Sequence, residues 1–221
     1  MRGRFITFEG GEGGGKSTHA KILVERLEAA GLEVVLTREP GGSPGAEIIR
    51  HVLLSGVAKP LGAETEAILF AAARDDHVRN TIAPALEAGK WVICDRFMDS
   101  TRVYQGTLGK VDERLIKGLE RVTVGDLLPD LTIILDVPPE VGLSRASQRR
   151  GDAAADRFEA EALSFHETLR HAYAELAALE PRRCILIDGT KAKEAVQSDI
   201  WAAVMLRLQP PQLERRRQVA P

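Results

Sequence analysis

Cysteine and aromatic residues are scarce in this chain of 221 residues, which holds two cysteines, two tryptophans, two tyrosines and six phenylalanines. Cys94 and Cys184 each lie inside an apolar, strand-like run. That is the setting of buried free thiols in a reducing compartment, the alternative being one disulfide between them. The two cysteines and five histidines show neither C-x-x-C nor H-x-x-x-H spacing, which argues against a structural zinc site. Long hydrophobic runs are also missing, since the longest, Ala67 to Ala73, is too short to span a bilayer. Neither sign of charge dominates: 30 Lys and Arg stand against 32 Asp and Glu, for a net charge of -2. Such a surface has no general attraction for nucleic acid or an anionic membrane, so the expected ligands are small and local. Met1-Arg-Gly-Arg4 leads into only a short strand pattern before a run of glycines. There is no apolar stretch of the kind a secretory signal needs, and a cytoplasmic protein is expected. No internal repeat is visible.

That run of glycines is the most informative stretch present. Gly10-Gly-Glu-Gly-Gly-Gly-Lys-Ser-Thr18 fills every fixed place of G-x-x-x-x-G-K-[ST] with Gly10, Gly15, Lys16 and Ser17. Glycines let successive N–H groups converge on a phosphate, the lysine adds a mobile cation and the serine hydroxyl can ligate Mg²⁺. Arg4 to Phe8 before it reads as a buried strand, and Ala20, Leu23, Val24, Leu27 and Ala30 after it recur at helical spacing up to Gly31, a context that a flexible linker would not need. The helix N-terminus then faces the phosphates.

Further strand-like runs, Glu33–Thr37, Trp91–Asp95, Leu131–Val137 and Arg183–Asp188, alternate with helical patterns over Lys16–Ala30, Gly45–Leu54, Thr65–Glu87, Asp112–Thr123, Pro139–Arg149, Phe158–Leu179 and Glu194–Leu208. Pro84 is expected to kink or end the third helix. Five strands separated by helices predict an α/β chain with a parallel sheet flanked by helices. The composition, 44% hydrophobic and 28% charged, suits a single domain over residues 1–208, followed by a polar tail over 209–221 containing Pro210-Pro211 and Arg215-Arg216-Arg217 and expected to be frayed. Ligands of such sheets gather beyond the carboxyl ends of the strands. The glycine loop, Glu39-Pro-Gly-Gly42 and Asp95-Arg96 all fall there.

The motif specifies nucleotide binding and leaves the reaction open. A switch GTPase needs N-K-x-D and D-x-x-G, and neither occurs. A mechanical ATPase would carry further domains. A small transferase remains, whose acceptor side needs cations of its own. Phe5-Ile-Thr-Phe-Glu-Gly-Gly-Glu-Gly-Gly-Gly-Lys-Ser-Thr18, Thr37-Arg-Glu-Pro-Gly-Gly42, Phe70-Ala-Ala-Ala-Arg74, Asp95-Arg-Phe97 and Ser100-Thr-Arg-Val-Tyr-Gln-Gly106 together resemble thymidylate kinase, in order and spacing, up to about Leu208. The resemblance implies a three-layer P-loop nucleoside-monophosphate-kinase fold, a homodimer, and transfer of the γ-phosphate of ATP to dTMP with Mg²⁺.

It also implies roles. Gly10, Gly11, Glu12, Gly13, Gly14, Gly15, Lys16, Ser17 and Thr18 would hold ATP, with Ser17 and Asp95 at the metal. Arg96, at a strand end, would grip the acceptor phosphate, the alternative for an arginine so placed being a pair with Asp95 or Asp99. Asp95 has the alternative of capping its loop. Glu12, a carboxylate inside an anion-binding loop, is expected to bridge acceptor and metal. Glu39 and Pro40 would line the acceptor site, or form only a tight turn. Phe70 and Arg74, four apart and so on one helix face, would stack on and hydrogen-bond the thymine; alone they would read as a core ring and a surface arginine. Ser100 and Thr101 would touch the base, Tyr104 would crowd the 2′ position and Gln105 would assist. Arg145, Arg149 and Arg150 precede a small-residue stretch, together suggesting a lid over about 145–157. The glycine loop lacks an arginine among its variable residues, so this looks like the bacterial type, whose lid supplies the transition-state cation: Arg149 first, Arg150 second, with Arg145 on the ATP side. Phe97, Met98 and Asp99 depart from what many relatives show after Asp-Arg. A phosphomonoester is largely ionised at neutral pH, so no general base is needed; the task is alignment and charge neutralisation.

Overall fold

The five apolar runs lie side by side as one parallel sheet in a computed structural model, which describes residues 2–151 and 158–209. The strands are β1 (Phe5–Gly10), β2 (Val34–Arg38), β3 (Trp91–Asp95), β4 (Leu131–Asp136) and β5 (Cys184–Asp188), in the spatial order β2-β3-β1-β4-β5. β1 is the middle strand and is buried along its whole length. It has helices on both faces, which is why it carries no polar–apolar alternation.

The two-residue period decides which layer each side chain meets. Ile6 and Phe8 point to one face, packing with Leu23 and Leu27 of α1 (Lys16–Ala29) and with Ile200 and Val204 of α9 (Lys193–Leu208). Phe5 points to the other, where it joins Ile82, Leu86, Phe97 and Met98. Each such fully buried aliphatic or aromatic side chain contributes on the order of 1.5–3 kcal/mol. Cys94 and Cys184 are both buried free thiols.

The remaining helices are α2 (Pro44–Leu54), α3 (Gly62–His77), α4 (Ala83–Glu87), α5 (Met98–Thr101), α6 (Glu113–Thr123), α7 (Pro139–Arg150) and α8 (Leu163–Leu179). Three sequence expectations need correction. The helix expected over Thr65–Glu87 starts earlier and is interrupted by a π-turn over Val78–Ile82; Pro84 then sits in the first turn of α4, where its missing N–H is harmless. The helix expected from Phe158 begins at Leu163, with turns over 158–160. Met98 to Leu108, read only as site motifs, is helical throughout, as α5 and a second π-turn over Arg102–Leu108. Of the expected lid, Arg145 to Arg150 close α7 and residues 152–157 lie outside the described residues, as does nearly all of the expected tail.

The glycine loop between β1 and α1 packs backbone to backbone against the start of α7. Gly13 has φ +64°, and a Cβ there would stand 1.8 Å from the carbonyl oxygen of Gly142. Gly13→Ala must therefore displace α7 and occupy a left-handed conformation that costs about 1–2 kcal/mol for an L-residue. The expected result is a melting temperature lower by at least about 2–4 °C, measured by circular dichroism; an unchanged melting temperature would contradict the close packing.

Candidate active site

The carboxyl ends of β1, β2 and β3 open into a cavity of about 230 Å³. Its walls include Glu12, Gly13, Gly14, Gly15, Lys16 and Ser17 from the glycine loop, Glu39 and Pro40 after β2, Phe70 and Arg74 from α3, and Asp95 and Arg96 after β3. Ser100, Thr101, Tyr104, Gln105 and Arg149 complete it. Most of the residues singled out in the sequence thus meet in one place. The others stand close by. Gly10 and Gly11 line a smaller cavity behind the loop, Thr18 is exposed on α1, and Arg145 leaves α7 to donate to the carbonyl oxygen of Gly189 at 3.0 Å.

Glu12 and Arg96 form the centre. Arg96 Nη2 donates to Glu12 Oε1 at 2.5 Å, and Tyr104 donates its hydroxyl to the same oxygen at 3.0 Å. Burial works to raise the pKa of Glu12, but the charges of Arg96 and Lys16 and the Tyr104 hydroxyl hold it down to about 2. Arg96 Nη1 spreads over the carbonyl oxygen of Gly10 at 3.2 Å, Ser100 Oγ at 3.3 Å and the Tyr173 hydroxyl at 3.4 Å, while its guanidinium carbon lies 5.2 Å from the centre of the Tyr104 ring. Neither Asp95 nor Asp99 takes Arg96. Asp99 is gripped by both terminal nitrogens of Arg183 at 2.6 and 2.9 Å, and Asp95 accepts the Ser17 hydroxyl. Arg96 adopts φ +70°, a strained conformation for a non-glycine residue.

Lys16 is folded back onto its own loop, donating to the carbonyl oxygens of Gly10 at 3.1 Å and Gly11 at 2.7 Å. Burial, and then the nearby Arg96, bring its pKa down to about 8 against the pull of Glu12 and Asp95. The loop therefore holds a cation that gains from an arriving phosphate.

Arg74 is buried and fixed by three acceptors: Glu39 at 2.8 Å from its Nε, and the Phe97 carbonyl at 3.2 Å and Thr101 Oγ1 at 3.0 Å from its Nη2. Its Nη1 makes no hydrogen bond among the described residues. Glu39 is itself braced by His77 Nδ1 at 3.1 Å, whose Nε2 meets Thr37 Oγ1 at 2.7 Å. Phe70 stands half-buried one turn away on the same wall. Arg149 and Arg150 both pair with Glu159, the first at 3.3 Å, and the Arg149 side chain is 64% exposed.

Several members of this site escaped the sequence reading. Arg50 and Leu54 line the cavity from α2; their four-residue spacing was the available signal. His77 lies three residues after Arg74 on α3, so it too shares that face. Glu9, Tyr173, Phe158 and Glu159 had no local signal. Phe97 and Met98 are core residues, Phe97 meeting the Phe5 ring edge-on at 4.9 Å, although Phe97 also touches the cavity.

A family model described as thymidylate kinase matches residues 8–200. The chain is 65% identical over 207 residues to a thymidylate kinase of Bradyrhizobium sp. (strain ORS 278), covering 94% of this chain and 92% of that protein. It is 64% identical over 204 residues to one from Nitrobacter winogradskyi, covering 92% and 89% respectively. The crystal structure of thymidylate kinase from Ehrlichia chaffeensis superposes with a TM-score of 0.73 at 33% identity, over 92% of this chain and 99% of that one. With a glycine loop opening on an arginine-lined cavity and matches of this extent, the chain belongs to the thymidylate kinase family.

Proposed function

We propose that the cavity performs the family reaction through the residues gathered in it. Membership makes the chain an ATP-dependent kinase that phosphorylates dTMP to dTDP. The acceptor phosphate already carries the attacking oxygen in ionised form, so the protein must bring two anions together and spread the charge of the transferring group. Lys16 leaves the Gly10 and Gly11 carbonyls for the β and γ phosphates. Arg96, whose planar fork suits bidentate contact, takes the phosphate of dTMP. Arg145 stands by the ATP side and Arg149 closes over the reacting group. The direct contact between Arg96 and Glu12 of the glycine loop is the observation that supports this reading, because it sets a buried cation beside the loop proposed to hold the donor.

The Ser17 hydroxyl and Asp95 carboxylate meet directly, and among the described residues no cluster of His, Cys, Asp and Glu competes for a metal. Two hard oxygens beside a polyphosphate suit Mg²⁺, which takes few protein ligands and completes its shell with phosphate and water. When bound there it would neutralise charge on the donor phosphates. Ser17 and Asp95 would hold it, and Glu12 lines the same cavity.

Thymine is read by Arg74, whose free Nη1 is aimed by the Glu39–His77 pair, with Phe70 as the stacking plate, Thr101 and Gln105 as polar neighbours and Tyr104 crowding the sugar. We extend the reading to a cytoplasmic homodimer. Ile48 on α2 and Ile68 on α3 are 70% and 48% exposed, which supports a self-association face, and among the described residues no helix is long and apolar enough to cross a membrane.

Three expected outcomes test the assignment. ADP release with ATP and Mg²⁺ against dTMP, dUMP, AMP, CMP and GMP, with an acceptor-free control, should be fastest with dTMP, and Arg74→Ala should raise the dTMP KM far more than the ATP KM. Equal changes in the two would remove Arg74 as the base reader. Arg149→Ala should lower kcat by roughly 10³- to 10⁵-fold if it acts as an arginine finger, measured by the same coupled assay; a loss below about tenfold would sink that role.

A further inference from the structure

Glu9 is a buried carboxylate on the central strand that the reaction as described does not use. On β1 it shares a face with Phe5 and Thr7, where an apolar residue would pack at no electrostatic cost. A bare carboxylate there would be strongly destabilising. Glu9 instead receives four donors. Its Oε1 accepts the backbone N–H groups of Phe97 at 2.8 Å and Ser100 at 3.2 Å, and its Oε2 accepts the hydroxyls of Ser100 at 2.7 Å and Tyr173 at 2.8 Å.

Those partners are the ones that surround Arg96. The backbone grip on Phe97 and Ser100 falls on the turn in which Arg96 holds φ +70°, a conformation that persists only where neighbouring structure enforces it. The hydroxyls of Ser100 and Tyr173 are the same two that receive Arg96 Nη1. Because each hydroxyl gives its proton to Glu9, its oxygen lone pairs are turned toward the guanidinium. Burial and the charge of Asp99 raise the pKa of Glu9 to about 7, opposed by Arg96 and by the donors from Ser100 and Phe97.

We infer that Glu9 is a positioning residue for Arg96: one carboxylate fixes both the turn that carries the guanidinium and the polarity of the two hydroxyls on which it rests. The inference rests on Arg96 as the cation of the acceptor phosphate. It extends that reading by a residue outside the cavity lining, and it ties α8 to Arg96 through Tyr173.

Glu9→Gln tests the idea because an amide of the same shape cannot satisfy this site in either orientation. With its oxygen toward the backbone, the NH₂ points the hydroxyl protons back at Arg96; flipped, it sets the NH₂ against two backbone N–H groups. Steady-state kinetics on the full chain, with dTMP and ATP varied separately, should give a kcat reduced about 10- to 100-fold, a raised dTMP KM, an ATP KM within about twofold of the parent and a cooperative melt. Tyr173→Phe should give a smaller loss of the same kind, and Glu9→Gln with Tyr173→Phe should lose no more than Glu9→Gln alone, since both act through one path. Should Glu9→Gln fail to fold, the pair Ser100→Ala with Tyr173→Phe removes both hydroxyls while leaving Glu9 in place, and should reproduce the same pattern.

Turnover of Glu9→Gln within about twofold of the parent, an ATP KM rising in step with the dTMP KM, or multiplicative losses in the double variant would each overturn the inference. For the Ser100 and Tyr173 pair, unchanged kinetics would do the same. Arg96→Ala is measured alongside. If it keeps its dTMP turnover, the reading of Arg96 falls and the role of Glu9 with it; if it loses turnover while Glu9→Gln does not, only the Glu9 assignment falls.

Discussion

The carboxylate of Glu12 in the glycine loop and the guanidinium of Arg96 after β3, held 2.5 Å apart, are the constraint to which the rest of the site answers. Taking either charge out of water alone would cost several kcal/mol, and their mutual attraction offsets this only when the remaining hydrogen-bonding positions are filled. Here Tyr104 donates to the same Glu12 oxygen as Arg96, Gly10, Ser100 and Tyr173 accept from Arg96 Nη1, and the cavity leaves the Arg96 and Glu12 side chains 17% and 14% exposed. Arg96 reaches this pair from a turn in which it holds φ +70°.

The same arrangement recurs across the cavity. Arg74 is matched to Glu39, Arg96 to Glu12, and Arg149 with Arg150 to Glu159, while Lys16 is folded onto carbonyl oxygens. Each of these cations thus has a partner within the protein. Preassigned partners keep long side chains near their working rotamers and reduce the ordering needed at binding. They also set different depths of commitment. Arg74 is buried and triply held, as suits the base reader proposed for it, whereas Arg149 is exposed and held by one ion pair among the described residues, as suits the change of partner that its proposed role requires.

The legibility of this molecule in its sequence follows the range of the interactions involved. The glycine loop, the five strands and the Phe70–Arg74 face depend on residues a few positions apart or on continuous apolar runs, and these were readable. Resemblance extended the reading to Arg96, Glu12 and Tyr104, whose meeting depends on strand order. Glu9 and Tyr173 were invisible because they are brought together across a separation of 164 residues, and a glutamate in a strand ordinarily signals an exposed edge. The helix from Met98 onward was hidden by its serine, threonine and glycine content, which favours turns when tertiary packing is left out. Pro84 was read as a break because sequence alone cannot show that a π-turn just before it frees the backbone to restart.

Binding and turnover of a Glu12→Gln variant, compared with the parent protein, test the central pair most directly. With the carboxylate charge gone, Arg96 is released from a competitor and the loop loses a repulsive anion, so calorimetric titration should show dTMP bound at least as tightly in the absence of ATP. In the same variant kcat should fall by about tenfold or more, because Arg96 has lost its anchor and the bridging carboxylate is neutral. A variant that binds dTMP more weakly yet turns over at the parent rate would contradict the account.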